Sequence, residues 1–194
     1  MPLNKSIAPP NNSEYFMRWH WIDRFEEFVS GVRAVSIKNV TMAEEHLHGY
    51  WPGFPMMPNS LIIEGLAQTG GLLVGEHNQF VESVVLAKVS KAIFHDIVRP
   101  GDSLRITAIA ADIRADGGII NGEVHCDGNL VAEINLIFAC LRGEMADIDQ
   151  FYPIDFISLL RALDMYKIGV TADGDPITPP QFMLDAENSF EQSV

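Results

Sequence analysis

Residues 60–77 constrain the fold of this 194-residue chain more than any other segment, because they form a helical pattern that is apolar on nearly every side. A helix that is hydrophobic all round must be enclosed by other parts of a protein. Glu64 is an ionisable residue in the interior of this pattern. A carboxylate in such a place is costly unless it is protonated, paired or used in chemistry. Glu64 is therefore the leading candidate for a functional residue, with pairing to a basic side chain as the structural alternative.

The start of the same helix predicts a site for negative charge. Pro58 followed by Asn59 and Ser60 is a start signal, and either Asn59 or Ser60 can serve as the N-cap. Glu64 lies too far into the helix to belong to a capping box, and Gln68 follows it by one turn on the same face. The unpaired amides of the first turn and the helix dipole favour a developing negative charge. An oxyanion site close to a buried acid is a pairing suited to catalysis.

Strand-like segments lie on both sides of this helix. Residues 21–37 predict two strands joined by a turn at Ser30-Gly31. Turn sequences at Asp116-Gly117-Gly118 and Asp127-Gly128-Asn129 predict two hairpins later in the chain. Four further strands are predicted, at 83–94, 103–114, 119–126 and 130–141.

The last of these strands shows one covered face. Glu133 and Asn135 fall on one side, and apolar residues fall on the other, namely Ala132, Ile134, Leu136, Phe138 and Cys140. The pattern predicts an α+β fold in which one long helix packs against an antiparallel sheet. A single sheet cannot cover a helix that is apolar all round, so we expect a homodimer.

The composition divides the chain into three parts. Residues 1–13 are polar and proline-bearing and predict a disordered leader, and residues 14–142 form the folded domain. Residues 143–194 are an acidic extension with ten acidic residues and only Arg161 and Lys167 as bases. One amphipathic helix is expected at 154–165, and the acidic, proline-containing remainder is expected to be loop.

The formal net charge of −13 argues against nucleic acid as a partner, because phosphate binding needs a basic face. Lys88, Lys91 and Arg99 are a local exception, either a docking patch for an acidic partner or ordinary solvated charges. Cys126 and Cys140 are too few for a disulfide scaffold and fit a reduced compartment. The sequence shows no signal peptide and no apolar run of membrane-spanning length, so a cytoplasmic protein without membrane contact is expected.

Several short motifs between residues 19 and 141 carry a family resemblance. They are Ile22-Asp23-Arg24, Ile37-Lys38-Asn39-Val40, Trp51-Pro52-Gly53-Phe54-Pro55-Met56-Met57-Pro58, Glu64 with Ala67-Gln68, Val98-Arg99-Pro100-Gly101-Asp102, and Asp127-Gly128-Asn129-Leu130-Val131-Ala132-Glu133. In this order they resemble the hot-dog-fold 3-hydroxyacyl-[acyl-carrier-protein] dehydratases of the FabZ/FabA class. The resemblance implies a hot-dog fold and a homodimer or a trimer of such dimers. It also implies a thioester substrate on acyl carrier protein or CoA, without a metal or organic cofactor.

The resemblance implies an active site as well. In this family a histidine in a Gly-His-Phe-Pro motif works with a Glu or Asp in the long helix of the partner subunit and with a backbone amide at the start of that helix. Carried over, the acid is Glu64 and the amide is that of Asn59, where the family usually has glycine. The histidine position holds Tyr50, whose phenol is almost fully protonated at neutral pH and is a poor base.

His48 is the alternative base, two residues before Tyr50. In an extended chain it points to the same side as Tyr50 but is displaced by about 6.6 Å, so it can act only after a local rearrangement. His46 lies one step further away. The alternative for both histidines is an exposed loop position.

Three functions compete on these residues. The resemblance implies a dehydratase of fatty acid biosynthesis that converts (3R)-hydroxyacyl thioesters into trans-2-enoyl thioesters, with protonated Glu64 donating to the departing hydroxyl. A hot-dog thioesterase that uses Glu64 is one alternative, and an inactive acyl-binding homologue is the other, because Tyr50 replaces the family histidine. The acyl chain is expected in an apolar tunnel between the subunits, with Gln68 beside the acid and a lining of Phe54, Met56 and Met57.

Overall fold

The computed structural model describes residues 20–49, 53–141 and 152–191, which form an antiparallel sheet with a long helix packed against it. The predicted leader, 1–13, lies outside the described residues. The strands run in the order β1-β2-β4-β5-β6-β3 across the sheet, and neighbouring strands are antiparallel. Their bounds confirm the predicted strands: β1 (Arg24–Val29), β2 (Arg33–Asn39), β3 (Val84–Phe94), β4 (Ser103–Arg114), β5 (Gly117–Cys126) and β6 (Asn129–Cys140).

The helices agree less closely with the sequence. They are α1 (His46–Gly49), α2 (Asn59–His77), α3 (Pro153–Ala162), α4 (Met165–Ile168) and α5 (Gln181–Glu191). The long helix and the amphipathic helix of the extension were predicted, whereas α1 was not. The expectation of loop after residue 165 was wrong, because α4 and α5 lie there. In the described part of the chain, no helix combines the length and the apolar character needed to cross a membrane.

The start of α2 differs from the prediction by one residue. The cap position is Pro58, with φ −58° and ψ 136°, and no side chain caps the helix there. Neither Asn59 nor Ser60 is the N-cap, because the proline ring fixes φ and the extended ψ of Pro58 ends the preceding loop. Asn59 therefore lies in the first turn, where backbone amides have no acceptor within the helix.

One face of α2 packs against the sheet. Ile62, Leu66 and Leu73 are fully buried there, and the hydroxyl groups of Ser36 and Thr69 lie 2.5 Å apart between strand and helix. Between residues 61 and 76, the remaining faces of α2 are half-buried rather than exposed to solvent. The inner face therefore fixes the helix to the sheet. The other faces of the helix are available for contacts with other parts of the molecule.

The extension joins the fold along the edge strand β1. The N–H of Ser30 donates to the carbonyl of Val170 at 2.8 Å, and the N–H of Val170 donates to Phe28 at 2.9 Å. Ile157 and Leu160 of α3 are fully buried in the same core as the sheet. The extension is thus packed onto the sheet and covers the free edge of β1.

Candidate active site

A cavity of about 430 Å³ lies along the half-buried face of α2. This volume falls in the range of small-molecule sites. The residues that α2 contributes are spaced by three or four residues over three turns, so they share one face: Glu64, Ala67, Gln68, Gly71, Leu72 and Gly75. The other walls come from His20, Ile22, residues 80–84, Leu86, Phe138 and the extension. The predicted acid therefore lies in the wall of a largely apolar cavity.

Glu64 is held by a neutral partner. Its Oε1 accepts a hydrogen bond from Gln68 Nε2 at 2.8 Å. The Oε1 of Gln68 in turn accepts from the backbone N–H of Trp21 at 2.9 Å. Because the main chain before β1 anchors the amide of Gln68, that amide orients the carboxyl group of Glu64. The described partner is thus an amide and not the basic side chain that the structural alternative requires.

The N-terminus of α2 supplies free backbone amides near this acid. Asn59 is exposed in the first turn. Glu64 follows five residues later, which is about 7.5 Å along the helix axis. Glu64 lines the cavity and Asn59 does not, so the described chain places the acid inside the cavity and the amide at one end of the same helix.

The histidines lie on a short helix rather than on an extended chain. His46 and His48 belong to α1, so the extended backbone considered for His48 was wrong. Tyr50 lies outside the described residues, and the position of the His48 side chain is not described. The assignment of either residue as the base stays a prediction.

His46 belongs to a buried ionic cluster. Its Nε2 lies 3.3 Å from Glu44 Oε2, and Glu44 Oε1 accepts from Lys38 Nζ at 2.8 Å. Burial lowers the pKa of His46, Glu44 opposes this, and Lys38 adds to it. His46 is half-buried and is not an exposed loop histidine. Its place in this cluster indicates a role in holding α1 against β2.

The three predicted tunnel residues lie elsewhere in the single chain. Phe54, Met56 and Met57 do not line the cavity. Met57 is fully buried and its N–H donates to the carbonyl of Val98 at 2.8 Å. A contribution of these residues to a tunnel between two subunits stays a prediction.

The predicted basic patch is divided among different contacts. Lys91 Nζ lies 2.6 Å from Glu133 Oε2, and hydrogen bonds from Lys91 and then His95 lower the pKa of Glu133. The Arg99 guanidinium lies 4.8 Å from the centre of the Phe54 ring. Lys88 is exposed on β3. A docking role for these cations stays a prediction.

Sequence reasoning missed the extension as part of the site. Six of its residues line the cavity, namely Pro153, Phe156, Leu159, Leu163, Phe182 and Met183. The amphipathic pattern at 154–165 was the available signal, but it does not say which surface the apolar stripe covers. Among the residues with described positions, no group of three His, Cys, Asp or Glu side chains is arranged to hold a metal ion.

Comparison with known proteins identifies the fold that carries this site. The family described as the FabA-like domain matches residues 14–135, more than half of the chain. The chain belongs to the FabA-like family. The predicted resemblance and the hot-dog fold are thereby confirmed.

Curated relatives of this FabA-like chain are dehydratases. It is 40% identical over 126 residues to the 3-hydroxyacyl-[acyl-carrier-protein] dehydratase FabZ of Thermomicrobium roseum, covering 64% of this chain and 85% of the relative. It is 38% identical over 118 residues to the FabZ of Ligilactobacillus salivarius, covering 60% and 84%. A solved chain of the dehydratase heterocomplex ApeI:P from Xenorhabdus doucetiae aligns with a TM-score of 0.55 at 16% identity, covering 73% of this chain and 89% of that one. The structural match shows the fold alone.

Proposed function

We propose that this chain is a 3-hydroxyacyl-[acyl-carrier-protein] dehydratase of fatty acid synthesis, which converts (3R)-hydroxyacyl thioesters into trans-2-enoyl thioesters. The observation that carries the proposal is the carboxyl group of Glu64 in the wall of a largely apolar cavity, held by Gln68. Removing water from a 3-hydroxyacyl thioester needs a proton donor for the hydroxyl and an apolar space for the chain. The names of the curated relatives support the same reaction.

The reaction needs three groups in this proposal. A base takes the C2 proton. The electron pair of that C–H bond forms a C1–C2 double bond, and the π pair of the carbonyl moves onto the thioester oxygen, which gives an enolate. The backbone N–H of Asn59 stabilises that oxygen. The enolate then re-forms the carbonyl, the C2–C3 double bond forms, and the C3–O bond breaks as Glu64 donates its proton. The hydroxyl leaves as water, and the proton held by the base returns to Glu64.

His48 is the proposed base, with Tyr50 as the alternative. An imidazole changes its charge near neutral pH, whereas a phenol does not. Tyr50 occupies the position of the family histidine in the motif. The resemblance implies that the base and Glu64 come from different subunits, so the proposal includes a homodimer.

The exposed edge of the sheet supports such a dimer. Residues 86–93 of β3 are all exposed, and Leu86, Val89 and Ile93 are 40%, 39% and 42% exposed. Exposed edge strands with apolar side chains are templates for pairing with another strand. We propose that β3 pairs with the same strand of a second copy.

Replacement of the acid tests the proposal. Glu64→Gln keeps an acceptor for Gln68 but has no proton to give, so we expect dehydration to fall by about 100-fold or more. The measurement is the formation of enoyl thioester from hydroxyacyl-carrier substrate, followed by mass spectrometry. Glu123→Gln, on an exposed glutamate of β5, is the matched control and should keep wild-type turnover.

The identity of the base is tested in the same assay. His48→Gln should lower turnover by about 100-fold, whereas Tyr50→Phe should lower it far less. The opposite order would assign the base to Tyr50. Release of free thiol without enoyl product would contradict dehydration in favour of a thioesterase, and tight acyl binding without turnover would indicate a non-catalytic homologue.

A further inference from the structure

We infer that the C-terminal extension sets the length of the acyl chain that this cavity accepts, because it forms one wall of the cavity. The inference rests on the proposed function, since it takes the acyl chain of that thioester as the occupant. Six residues of the extension line the cavity, and each is apolar. The match to the FabA-like domain ends at residue 135, so this wall lies outside the matched domain.

The residues that α2 contributes to the cavity change from polar to apolar along the helix. Glu64 and Gln68 lie nearer the N-terminus of the helix, and Gly71, Leu72 and Gly75 follow on the same face. Glu64 and Gly75 are about 16 Å apart along the helix axis. A thioester whose oxygen meets the first-turn amides and whose hydroxyl meets Glu64 therefore places its chain beside Leu72 and Gly75.

The extension contacts the far end of this path. Gln79 and Phe80 both have a left-handed backbone, with φ of 54° and 52°, which is unusual for a residue as bulky as phenylalanine. This turn lays the Phe80 ring against α2 at Gly75, where a Cβ atom would be only 2.9 Å from the ring. The Phe80 ring then meets the Phe156 ring edge-on, with centroids 5.1 Å apart. Phe156 thus closes the wall near the end that lies farthest from Glu64.

Backbone hydrogen bonds and buried side chains hold the extension in place, so it sets the depth of the cavity. The N–H of Phe25 in β1 donates to the carbonyl of Leu163 at 2.8 Å. Ile157 and Leu160 are fully buried beneath the wall, and an ion pair between Arg161 and Glu187 joins α3 to α5. Because backbone bonds and buried side chains fix its position, the wall limits how far a chain can extend.

Binding of a series of S-alkyl-CoA thioethers, from butyl to hexadecyl, tests the inference without any turnover. Each added methylene that becomes buried should raise the affinity by about fourfold, measured by isothermal titration calorimetry. The gain should stop at the chain length that fills the cavity. That limit is the quantity to compare among variants.

Two variants of the extension wall should move the chain-length limit in opposite directions. The double variant Leu159→Ala with Phe182→Ala removes bulk from the wall and should shift the limit to longer chains by about two methylenes or more, with short chains bound as in wild type. Leu159→Phe adds bulk and should shift it to shorter chains. Phe190→Ala, on the same helix as Phe182 but outside the cavity lining, is the control and should leave the limit unchanged. If the double variant does not fold, Phe182→Ala alone is measured in its place. Phe182 is 41% exposed, so this single substitution should leave the protein folded.

The outcomes separate this inference from the proposed function. An unchanged limit in both wall variants, or no binding of alkyl chains by wild type, would overturn the inference even if dehydration occurs. The chain-length limit could shift as described in a protein that dehydrates no hydroxyacyl substrate of any length. That result would support the role of the extension in setting chain length and would contradict the dehydratase assignment.

Discussion

The FabA-like region (residues 14–135) and the C-terminal extension (residues 143–194) line the same cavity but differ in composition. The FabA-like region supplies the sheet, the helix α2 and the acid Glu64, and it matches a known family. The extension is acidic, lies beyond that match, and supplies only apolar side chains to the cavity. Under the proposed function, the catalytic acid and the wall that limits the acyl chain therefore belong to separate stretches of sequence.

The largest expected change is in the free energy of unfolding, and it tests whether the two regions fold together. Ile157→Ala in the extension and Leu73→Ala in α2 each empty a fully buried site, so each should lower the free energy of unfolding by about 2–5 kcal/mol. If the regions form one cooperative unit, both variants shift a single denaturant transition, with circular dichroism and tryptophan fluorescence coinciding.

Val32→Ala is the control for that comparison, because Val32 is 46% exposed and should change stability little. A separate early transition in Ile157→Ala, with the main transition left in place, would show that the extension folds independently. The contrast between the regions would then extend to their stability.

A smaller change in the free energy of unfolding is expected from a substitution at Glu76, where the two regions meet. Glu76 is 3% exposed, and its Oε2 has no hydrogen-bond partner within the described chain. Burial raises the pKa of Glu76, opposed by a hydrogen bond from Ser30 and by His77. Burial and then the charge of Glu76 raise the pKa of Tyr166 in α4, so the junction between the regions contains a carboxyl that is poorly accommodated when ionised.

Glu76→Gln should therefore stabilise the protein at neutral pH by about 1 kcal/mol. Because the folded pKa of Glu76 is raised, its contribution to stability is fully present below its unfolded pKa and is lost as pH rises through the folded value. The gain of the variant should vanish in acid and grow towards neutral pH in denaturant titrations. Glu45→Gln, on an exposed side chain, should show no such trend, and a gain that is independent of pH would contradict the explanation.

The smallest effect concerns charge. The extension is acidic, whereas Lys88 lies exposed on β3 of the FabA-like region. Lys88→Glu should weaken binding of the acidic acyl carrier protein by about twofold to fivefold, because an exposed charge contributes little. Lys167→Glu, on a lysine of the extension that is 73% exposed, should have less effect. Equal losses from both variants, measured by surface plasmon resonance, would show that overall charge and not a local patch steers the carrier.

Much of the FabA-like region could be predicted, because its signals are local. The turn between β5 and β6 is an example, since Asp127 and Gly128 have φ of 49° and 80° as the turn sequence requires. The alternation in β6 is another, since Ile134 and Leu136 are fully buried. Glu64 stood out because it lies in the interior of an apolar helix, whereas Glu76, near the end of the same helix, did not stand out although it is more deeply buried.

The rest depends on contacts between distant segments. Met57 is fully buried in the single chain and does not line its cavity, because an apolar residue in a loop motif does not reveal which cavity or core it fills. The helix α5 was missed because acidic and polar residues outnumber its apolar ones. Phe156 meets Phe80 across a sequence separation that no local pattern encodes.

The backbone of Val170 has one further consequence, because it occupies the edge of β1. In the described chain, β3 then remains as the edge that can add another strand. A sheet with a single available edge pairs once, edge to matching edge, and the resulting pair has no edge left for further growth. If β3 pairs with β3 of a second copy as proposed, the C-terminal segment blocks strand addition at β1 and the assembly ends at two copies.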